Sequence, residues 1–203
     1  MYIKIGKRLL DILLAGGFLI ILSPVFFVLI FILFFYNRGK IFFIQTRIGI
    51  KNKPFRILKF KTMNEAKDEN NLLVPDEKRI SVFGFFLRKY SLDELPQLIN
   101  ILLGDMSVVG PRPLLPEYLS YYNQTQLQRH NVLPGITGLA QINGRNDLGW
   151  EERFNWDIKY AKEISFKLDI KILLITFKKL LTSSEIHGDV ISKKFTDYLA
   201  EVK

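Results

Sequence analysis

Several features that often indicate a function are missing from this chain of 203 residues. It contains no cysteine, which excludes a disulfide framework and suits a reducing compartment. It has no internal repeat and no low-complexity tract, and neither the Walker A spacing nor the dinucleotide-binding glycine spacing is present. His130 has no partner at a metal-ligand spacing, so we interpret it as a structural histidine.

Charged residues are absent from one long stretch, Ile12–Tyr36, which is apolar throughout most of its length. A straight helix of about 25 residues would cross a hydrocarbon core about 30 Å thick. Pro24 predicts a kink in that helix, and the Ser23 hydroxyl can bond to a carbonyl that the kink frees. Each half is too short to span alone, and no small-residue cleavage site follows, so we expect the segment to be retained.

Basic residues flank this apolar stretch on both sides, with Lys4, Lys7 and Arg8 before it and Arg38 and Lys40 after it. A spanning helix usually shows an excess of basic residues on one side only. The symmetry favours a re-entrant helix pair with both ends at the cytoplasmic face. An ordinary single-pass helix, with the N-terminus on the far side of the membrane, stays open as an alternative.

The net charge of +9 is concentrated near the apolar stretch. Residues 1–61 hold eleven basic residues and one acidic residue, whereas the remainder is close to neutral. Such a basic region can attract the headgroups of anionic lipids. Because no nucleic-acid-binding motif accompanies it, we expect a membrane partner and no nucleic acid.

The remainder of the chain mixes short strands with helices. Ile41–Ile48 and Phe55–Thr62 predict two strands, because both are rich in β-branched and aromatic residues. Ser81–Tyr90 and Ser165–Leu181 each predict either a core helix or a helix lying in the membrane interface. Glu117–His130 predicts a polar helix. The fold class expected is α+β: a small mixed α/β membrane-associated domain with a re-entrant membrane helix broken at a Ser-Pro pair, and interfacial amphipathic helices.

We expect three segments along the chain. Residues 1–38 would form the re-entrant membrane helix with its basic flanks, and residues 39–185 would form the catalytic domain. Residues 186–203 would be a polar C-terminal tail.

The most informative stretch runs from Ser91 to Leu102. Its helical spacing predicts a buried face formed by Leu92, Leu95, Ile99 and Leu102. Ser91 and Glu94 match a capping box, in which Glu94 would only satisfy a backbone amide. The functional alternative is that Asp93 stands at a helix N-terminus, where anionic phosphate also binds well.

A second candidate site centres on Arg112, between Pro111 and Pro113. The two prolines fix the backbone on both sides, which is one way to aim a guanidinium at a phosphate. The simpler interpretation is a turn with a surface arginine. Lys59, inside the second predicted strand, would on its own be only a solvent-facing lysine. Three glycines in residues 134–146 would allow a ligand to approach the backbone closely.

These motifs occur in a specific order. They are the Ser-Pro pair at 23–24, FKTM at 60–63, SLDELPQ at 91–97, GDMSVVGPRP at 104–113 and PGITGLAQ at 134–141. In this order they resemble the monotopic bacterial phosphoglycosyl transferases, the PglC-like bacterial sugar transferase family. The resemblance covers nearly the whole chain, and the motifs quoted show no departure from it.

The resemblance implies a reaction and a location. A phosphosugar moves from a UDP-sugar to polyprenyl phosphate, releasing UMP and leaving a polyprenyl-diphosphate sugar for downstream glycosyltransferases. The enzyme would be monotopic in the bacterial inner membrane, with its catalytic domain facing the cytoplasm. This would be the first membrane step in assembling an N-glycan, a capsule or an O-antigen.

The resemblance also implies roles for individual residues. Asp93 and Glu94 would form the catalytic dyad, with Asp93 as nucleophile and as a ligand of the cofactor Mg²⁺. Glu94 would act as a general base or would orient the incoming phosphate. The candidate substrate-binding residues are Lys59, Arg88, Pro111, Arg112, Pro113, Arg145 and Asp157.

Two other function classes fit parts of the sequence. A non-enzymatic membrane-tethered module binding anionic lipid or polymer would explain the charge but would leave Asp93 and Glu94 without a purpose. An enzyme with a soluble acceptor would not need the apolar segment. The identity of the sugar cannot be predicted, although residues 143–156 are candidates for selecting it.

Overall fold

The computed structural model describes residues 2–144 and 148–182, together with Phe195 and Tyr198. This part of the chain is mostly helical with two small sheets, which confirms the mixed class expected. The helices are α1 Lys7–Ile21, α2 Ser23–Tyr36, α3 Asp76–Arg79, α4 Val82–Lys89, α5 Gln97–Leu103, α6 Gln124–Leu127, α7 Leu139–Asn143, α8 Trp150–Glu163 and α9 Phe166–Thr182. The strands are β1 Phe42–Ile48, β2 Pro54–Phe60, β3 Ser107–Val109 and β4 Gly135–Thr137.

The N-terminal apolar stretch forms two helices with a sharp bend between them. The axes of α1 and α2 differ by 64° at the Ser23-Pro24 pair, as the proline predicts. Ser23 Oγ donates a hydrogen bond to the Ile20 carbonyl at 2.8 Å. Within the described ranges, no single helix is long and apolar enough to cross a membrane, although the bent pair meets that test as a unit.

One face of α1 is polar and attaches the helix pair to the rest of the protein. Lys7 Nζ lies 2.8 Å from Asp169 Oδ2 on α9, and both side chains are buried. Asp11 Oδ1 accepts hydrogen bonds from Ser107 Oγ and from the Val108 amide, both at 2.9 Å. Because these partners lie on β3 and α9, α1 is fixed to the same body that carries the other motifs.

Two strand pairs frame that body. β1 and β2 form an antiparallel hairpin, and its turn includes Asn52 in the left-handed region at φ 62°. β3 and β4 pair in parallel, and the chain that leaves β3 stays against β4, because the Gly110 amide donates to the Thr137 carbonyl at 2.8 Å and the Pro111 carbonyl accepts from the Gly135 amide at 3.0 Å. A Cβ on Gly110 would lie 2.3 Å from the Leu133 carbonyl oxygen, so this close backbone approach requires glycine.

Two sequence predictions fail locally. The buried face of α5 is formed by Leu98 and Ile101, whereas Leu102 is exposed, because the helix begins only after Pro96 and the earlier leucines belong to a separate turn. The polar helix expected over residues 117–130 is instead a series of short helical turns around α6. The strand predictions are confirmed to within two residues at each end.

The described residues do not test the three-segment division, so it stays a prediction. Apart from Phe195 and Tyr198, the tail expected at 186–203 lies outside them.

Candidate active site

The acidic pair stands on a tight turn rather than in a helix. Ser91 has φ 54°, in the left-handed region, and a single 3₁₀ turn, Leu92–Glu94, follows it before α5 begins at Gln97. The Ser91 side chain makes no capping hydrogen bond, so the capping-box interpretation is wrong. A non-glycine residue in this backbone region indicates local strain, which is common where side chains are presented for function.

Two cations contact the Glu94 carboxylate. Lys59 Nζ lies 2.7 Å from Glu94 Oε1 and 3.9 Å from Asp93 Oδ2. Arg112 Nη2 lies 3.2 Å from the same Glu94 oxygen. Lys59 is therefore directed at the acidic pair, and the interpretation of it as a solvent-facing lysine is wrong. The structure brings together four side chains that are separated by up to 53 positions in the sequence.

The two acids differ in their affinity for a proton. Burial raises the pKa of Asp93 to about 6, with a further contribution from the Glu94 charge, although Lys59 and the nearby arginines oppose the change. Burial also disfavours ionised Glu94, but the charges and hydrogen bonds of Lys59 and Arg112 outweigh it and lower its pKa. Neighbouring carboxyls with pKa values moved apart are typical of sites where they serve different roles.

Arg88 approaches the pair from α4 without bonding to it. Its Nε donates to Thr62 Oγ1 at 3.0 Å, and its Nη2 lies 3.2 Å from Met63 Sδ. Its charge still contributes to the pKa of Asp93. The contacts explain why the motif at 60–63 and Arg88 belong to one site: Thr62 and Met63 hold the guanidinium at the edge of the dyad.

Backbone contacts hold the segment around Arg112. The Pro111 carbonyl accepts from the Gly135 amide at 3.0 Å, and the Arg112 carbonyl accepts from Arg129 Nη2 at 2.7 Å. These bonds fix the peptide groups on both sides of Arg112, so its side chain can reach Glu94 from a rigid base.

Arg129 lies buried beneath Arg112, and its sequence context does not predict a role for it. Its side chain is 1% exposed and donates from Nε and Nη2 to Asp157 Oδ2, at 3.1 and 2.7 Å. Asp157 is thus an ion-pair partner, and burial raises the pKa of its carboxyl against the effect of that arginine. A lone arginine in a polar stretch gives no sequence signal of such a role.

A short chain of contacts extends from Arg129 to the hairpin turn. His130 Nδ1 donates to Asn52 Oδ1 at 2.6 Å, since that oxygen can only accept, which leaves Nε2 facing Arg129 Nη1 at 3.4 Å. Burial, with the Arg129 charge, lowers the pKa of His130 to about 3, so the ring is neutral at pH 7. His130 is structural, as the sequence indicated.

A cavity of about 120 Å³ opens beside Glu94. Three arginines, two acids and several polar or apolar side chains contribute to its wall, among them Arg112, Arg129, Arg153, Asp157, Ala140 and Gln141. The remaining candidate, Arg145, lies outside the described residues.

The acidic pair offers limited coordination for a metal. Among the described residues, no cluster of three or more His, Cys, Asp or Glu side chains could hold an ion. Magnesium is often held by one or two carboxylates together with substrate phosphates. Since Glu94 is engaged by Lys59 and Arg112, the Asp93 carboxylate is the group that fits this mode of binding.

Comparison with known proteins gives one family. A protein-family model described as "Bacterial sugar transferase" matches residues 2–183 of this chain. The chain is 45% identical over 192 residues to the uncharacterized sugar transferase EpsL of Bacillus subtilis, covering 94% of this chain and 95% of that protein. It is 36% identical over 195 residues to the exopolysaccharide production protein ExoY of Rhizobium meliloti, covering 88% and 86% of the two chains.

A longer relative has a more specific name. The chain is 39% identical over 189 residues to a UDP-glucose:undecaprenyl-phosphate glucose-1-phosphate transferase of Klebsiella pneumoniae, covering 88% of this chain but 41% of that protein. The match to the family model and the matches to these relatives extend over nearly all of this sequence, and they confirm the resemblance noted from its motifs. The chain belongs to the bacterial sugar transferase family.

Proposed function

We propose that this protein transfers a sugar-1-phosphate from a UDP-sugar to undecaprenyl phosphate, or a similar polyprenyl phosphate, and releases UMP. The product would supply downstream glycosyltransferases in the synthesis of an exopolysaccharide or capsule, which agrees with the names of its relatives. The observation that carries the proposal is the meeting of Asp93, Glu94, Lys59 and Arg112 beside one cavity in a member of this family.

The proposed chemistry proceeds through Asp93 in two steps. An oxygen of ionised Asp93 bonds to the β-phosphorus, the bond to the bridging oxygen breaks, and UMP leaves with that electron pair. An oxygen of the lipid phosphate then bonds to the same phosphorus, which forms the diphosphate and restores the Asp93 carboxylate. A covalent intermediate of this kind divides one difficult transfer into two easier ones.

The other residues serve binding and orientation in this proposal. Lys59 and Arg112 would share their charge between Glu94 and the diphosphate, where negative charge accumulates during the transfer. Because its pKa is low, Glu94 is a poor general base near pH 7, so we assign it the orienting role. Mg²⁺ bound through Asp93 and substrate phosphates would neutralise part of the diphosphate charge.

An adduct experiment tests the function. Purified enzyme would be mixed with Mg²⁺ and a panel of UDP-sugars, without lipid acceptor, and its intact mass measured. We expect a mass gain equal to one phosphosugar together with released UMP. UMP release only after polyprenyl phosphate is added, without an adduct, would indicate direct transfer. No UMP from any donor under either condition would favour a non-enzymatic membrane module.

We also propose that α1 and α2 enter and leave the membrane on the cytoplasmic side, with α4 and α9 in the interface. The 64° bend and the basic residues on both flanks support the first part. Exposed apolar side chains support the second: Val82 on α4, and Leu174 and Phe177 on α9. The anionic lipids of the inner membrane would attract the basic flanks.

The absence of cysteine makes this topology directly testable. A single cysteine would be introduced as Ile3→Cys, before α1, or as Lys51→Cys, in the exposed hairpin turn, and treated with a membrane-impermeant thiol reagent in intact cells. We expect neither variant to be labelled until the cells are permeabilised. Labelling of Ile3→Cys alone in intact cells would establish a single-pass helix instead.

A further inference from the structure

Among the residues that the structure describes, two buried oxygen atoms in the cavity wall have no hydrogen-bond partner. They are Gln141 Oε1, on α7, and Asp157 Oδ1, on α8, and the Asp157 side chain is almost completely buried. A buried acceptor without a donor destabilises a protein, so such atoms call for an explanation. Because these atoms line a cavity beside the proposed catalytic pair, the simplest explanation is a ligand that donates hydrogen bonds to them.

The orientation of Gln141 follows from its other contacts. Its Nε2 donates to the Ile136 carbonyl at 3.2 Å, and this bond identifies the remaining amide atom as the acceptor. Gly138 lies next to this amide and has no room for a side chain, because a Cβ there would lie 2.6 Å from Gln141 Oε1 and 2.2 Å from the Gly110 carbonyl oxygen. The Gln141 amide is therefore packed directly against the backbone of Gly138.

The Oδ1 atom of Asp157 is unpaired, within the described residues, for a different reason. Both hydrogen bonds from Arg129 fall on Oδ2, so Oδ1 on the same carboxylate has none. Arg129 holds this carboxylate in place, and an ionised carboxylate oxygen without a donor is a strong acceptor. The wall therefore carries an amide oxygen and a carboxylate oxygen that can each accept a hydrogen bond from a ligand.

The chemistry of these two atoms defines what they bind. Phosphate oxygens only accept hydrogen bonds, so they suit the arginines of the wall and not these two acceptors. Within a UDP-sugar, the groups that donate are the imide N–H of the uracil, the hydroxyls, and any acylamino N–H of the sugar. Apolar wall residues such as Ile136 and Ala140 suit the faces of either ring.

We propose that Gln141 is a specificity-determining residue, whose Oε1 accepts a hydrogen bond from an N–H or O–H group of the UDP-sugar in the cavity that Asp157 also lines. The inference rests on the proposed function, since the ligand is its substrate. A site built to bond a donor group discriminates strongly against a ligand that lacks the group, because a buried polar atom is then left unpaired.

The test is the substitution Gln141→Met, which keeps the length of the side chain and removes both the acceptor and the Nε2 donor to the Ile136 carbonyl. Gln124→Met, on the exposed surface of α6, is the matched control. UMP binding to the full-length enzyme and kcat/KM for UDP-glucose, UDP-galactose and their N-acetyl forms would be measured for both variants. We expect Gln141→Met to lower kcat/KM for the preferred donor roughly 10- to 100-fold, and the control to match the wild type.

The two sources of the donor group give different results. If the uridine supplies it, UMP binding weakens by the same factor and the ranking of the sugars is kept. Weakened binding to the wild type of 3-methyl-UMP, which lacks the imide N–H, or of 2′- or 3′-deoxy-UMP, which lacks a ribose hydroxyl, then identifies the group. If the sugar supplies it, UMP binding is unchanged and the preference among the sugars collapses.

The analogue and the control also keep the inference distinct from the proposed function. Unchanged UMP binding together with unchanged sugar preference in folded Gln141→Met would overturn this inference alone. A wild-type enzyme that releases UMP from no donor would overturn the proposed function. Should Gln141→Met fail to fold, wild-type binding of 3-methyl-UMP and of the deoxy-UMPs, together with kcat/KM for deoxy-sugar donors, still gives the answer. An analogue set that shows no loss in either measurement would overturn the inference.

Discussion

Replacing Asp93 with asparagine is expected to abolish turnover while leaving the protein folded. The amide has nearly the shape of the carboxylate but cannot attack phosphorus, so UMP release should fall by at least about 10³-fold and no covalent adduct should form. Burial raises the pKa of Asp93 to about 6, so at pH 7 its ionised form opposes folding. The variant should therefore unfold at no lower a temperature than the wild type.

The matched control is Asp68→Asn, in the exposed loop before α3. The Asp68 carboxylate accepts hydrogen bonds from nearby backbone amides, and an asparagine can accept them in the same way. This variant should keep both activity and thermal stability. An Asp93→Asn enzyme that retained a tenth of wild-type turnover, or that still gained the mass of a phosphosugar, would contradict the nucleophile assignment.

Replacing Arg129 with methionine is expected to have the largest effect on stability. The substitution leaves the Asp157 carboxylate buried without its cation, and breaking a buried pair in this way destabilises by about 3–5 kcal/mol. For a protein of this size the melting temperature should fall on the order of 10 °C. Thermal unfolding of the detergent-solubilised enzyme would measure the change.

Two further variants distinguish charge from packing. Adding Asp157→Asn to Arg129→Met removes the uncompensated charge and should recover much of the lost stability. Lys40→Met breaks an ion pair with Glu65 in which both side chains are more than half exposed, and it should leave the melting temperature nearly unchanged. If Arg129→Met melted at the same temperature as Lys40→Met, the buried pair would not be a stabilising element.

The parts of the site that the sequence predicts are those whose chemistry is local. The Ser-Pro bend follows from a missing amide, and both hairpin strands follow from composition. The rigid backbone on both sides of Arg112 follows from the fixed φ angles of Pro111 and Pro113. Each of these depends on residues that are neighbours in the chain, so a single stretch of sequence contains the necessary information.

The parts that the sequence misses depend on distant contacts. Glu94 matches a capping box locally, yet Lys59 and Arg112 contact its carboxylate instead, because charged partners outcompete a neutral amide. Arg129 acquires its role only when α8 brings Asp157 to it. The buried face of α5 differs from the predicted face because residues 92–103 form a 3₁₀ turn followed by an α-helix, and the two have different numbers of residues per turn.

The difference in pKa between Asp93 and Glu94 has a simple physical origin. Asp93 and Glu94 are adjacent in the chain, but Glu94 holds both close cation contacts, whereas Lys59 lies 3.9 Å from Asp93. The less compensated acid is the better candidate nucleophile, because its higher pKa accompanies a more available electron pair. In the proposed mechanism, one residue of displacement along a turn would be enough to separate a reactive carboxylate from an orienting one.

The contact between Lys7 and Asp169 has a consequence for the biosynthesis of the protein. The two partners are 162 positions apart, so Lys7 leaves the ribosome well before Asp169 has been synthesised. At about 5–20 residues per second, the delay is on the order of ten seconds. In the proposed topology, α1 and α2 would enter the bilayer during that time, with the ammonium of Lys7 still hydrated or bound to lipid phosphate. The buried contact between Lys7 and Asp169 can form only after α9 has been synthesised, so the helix pair would insert early and reach its final packing late.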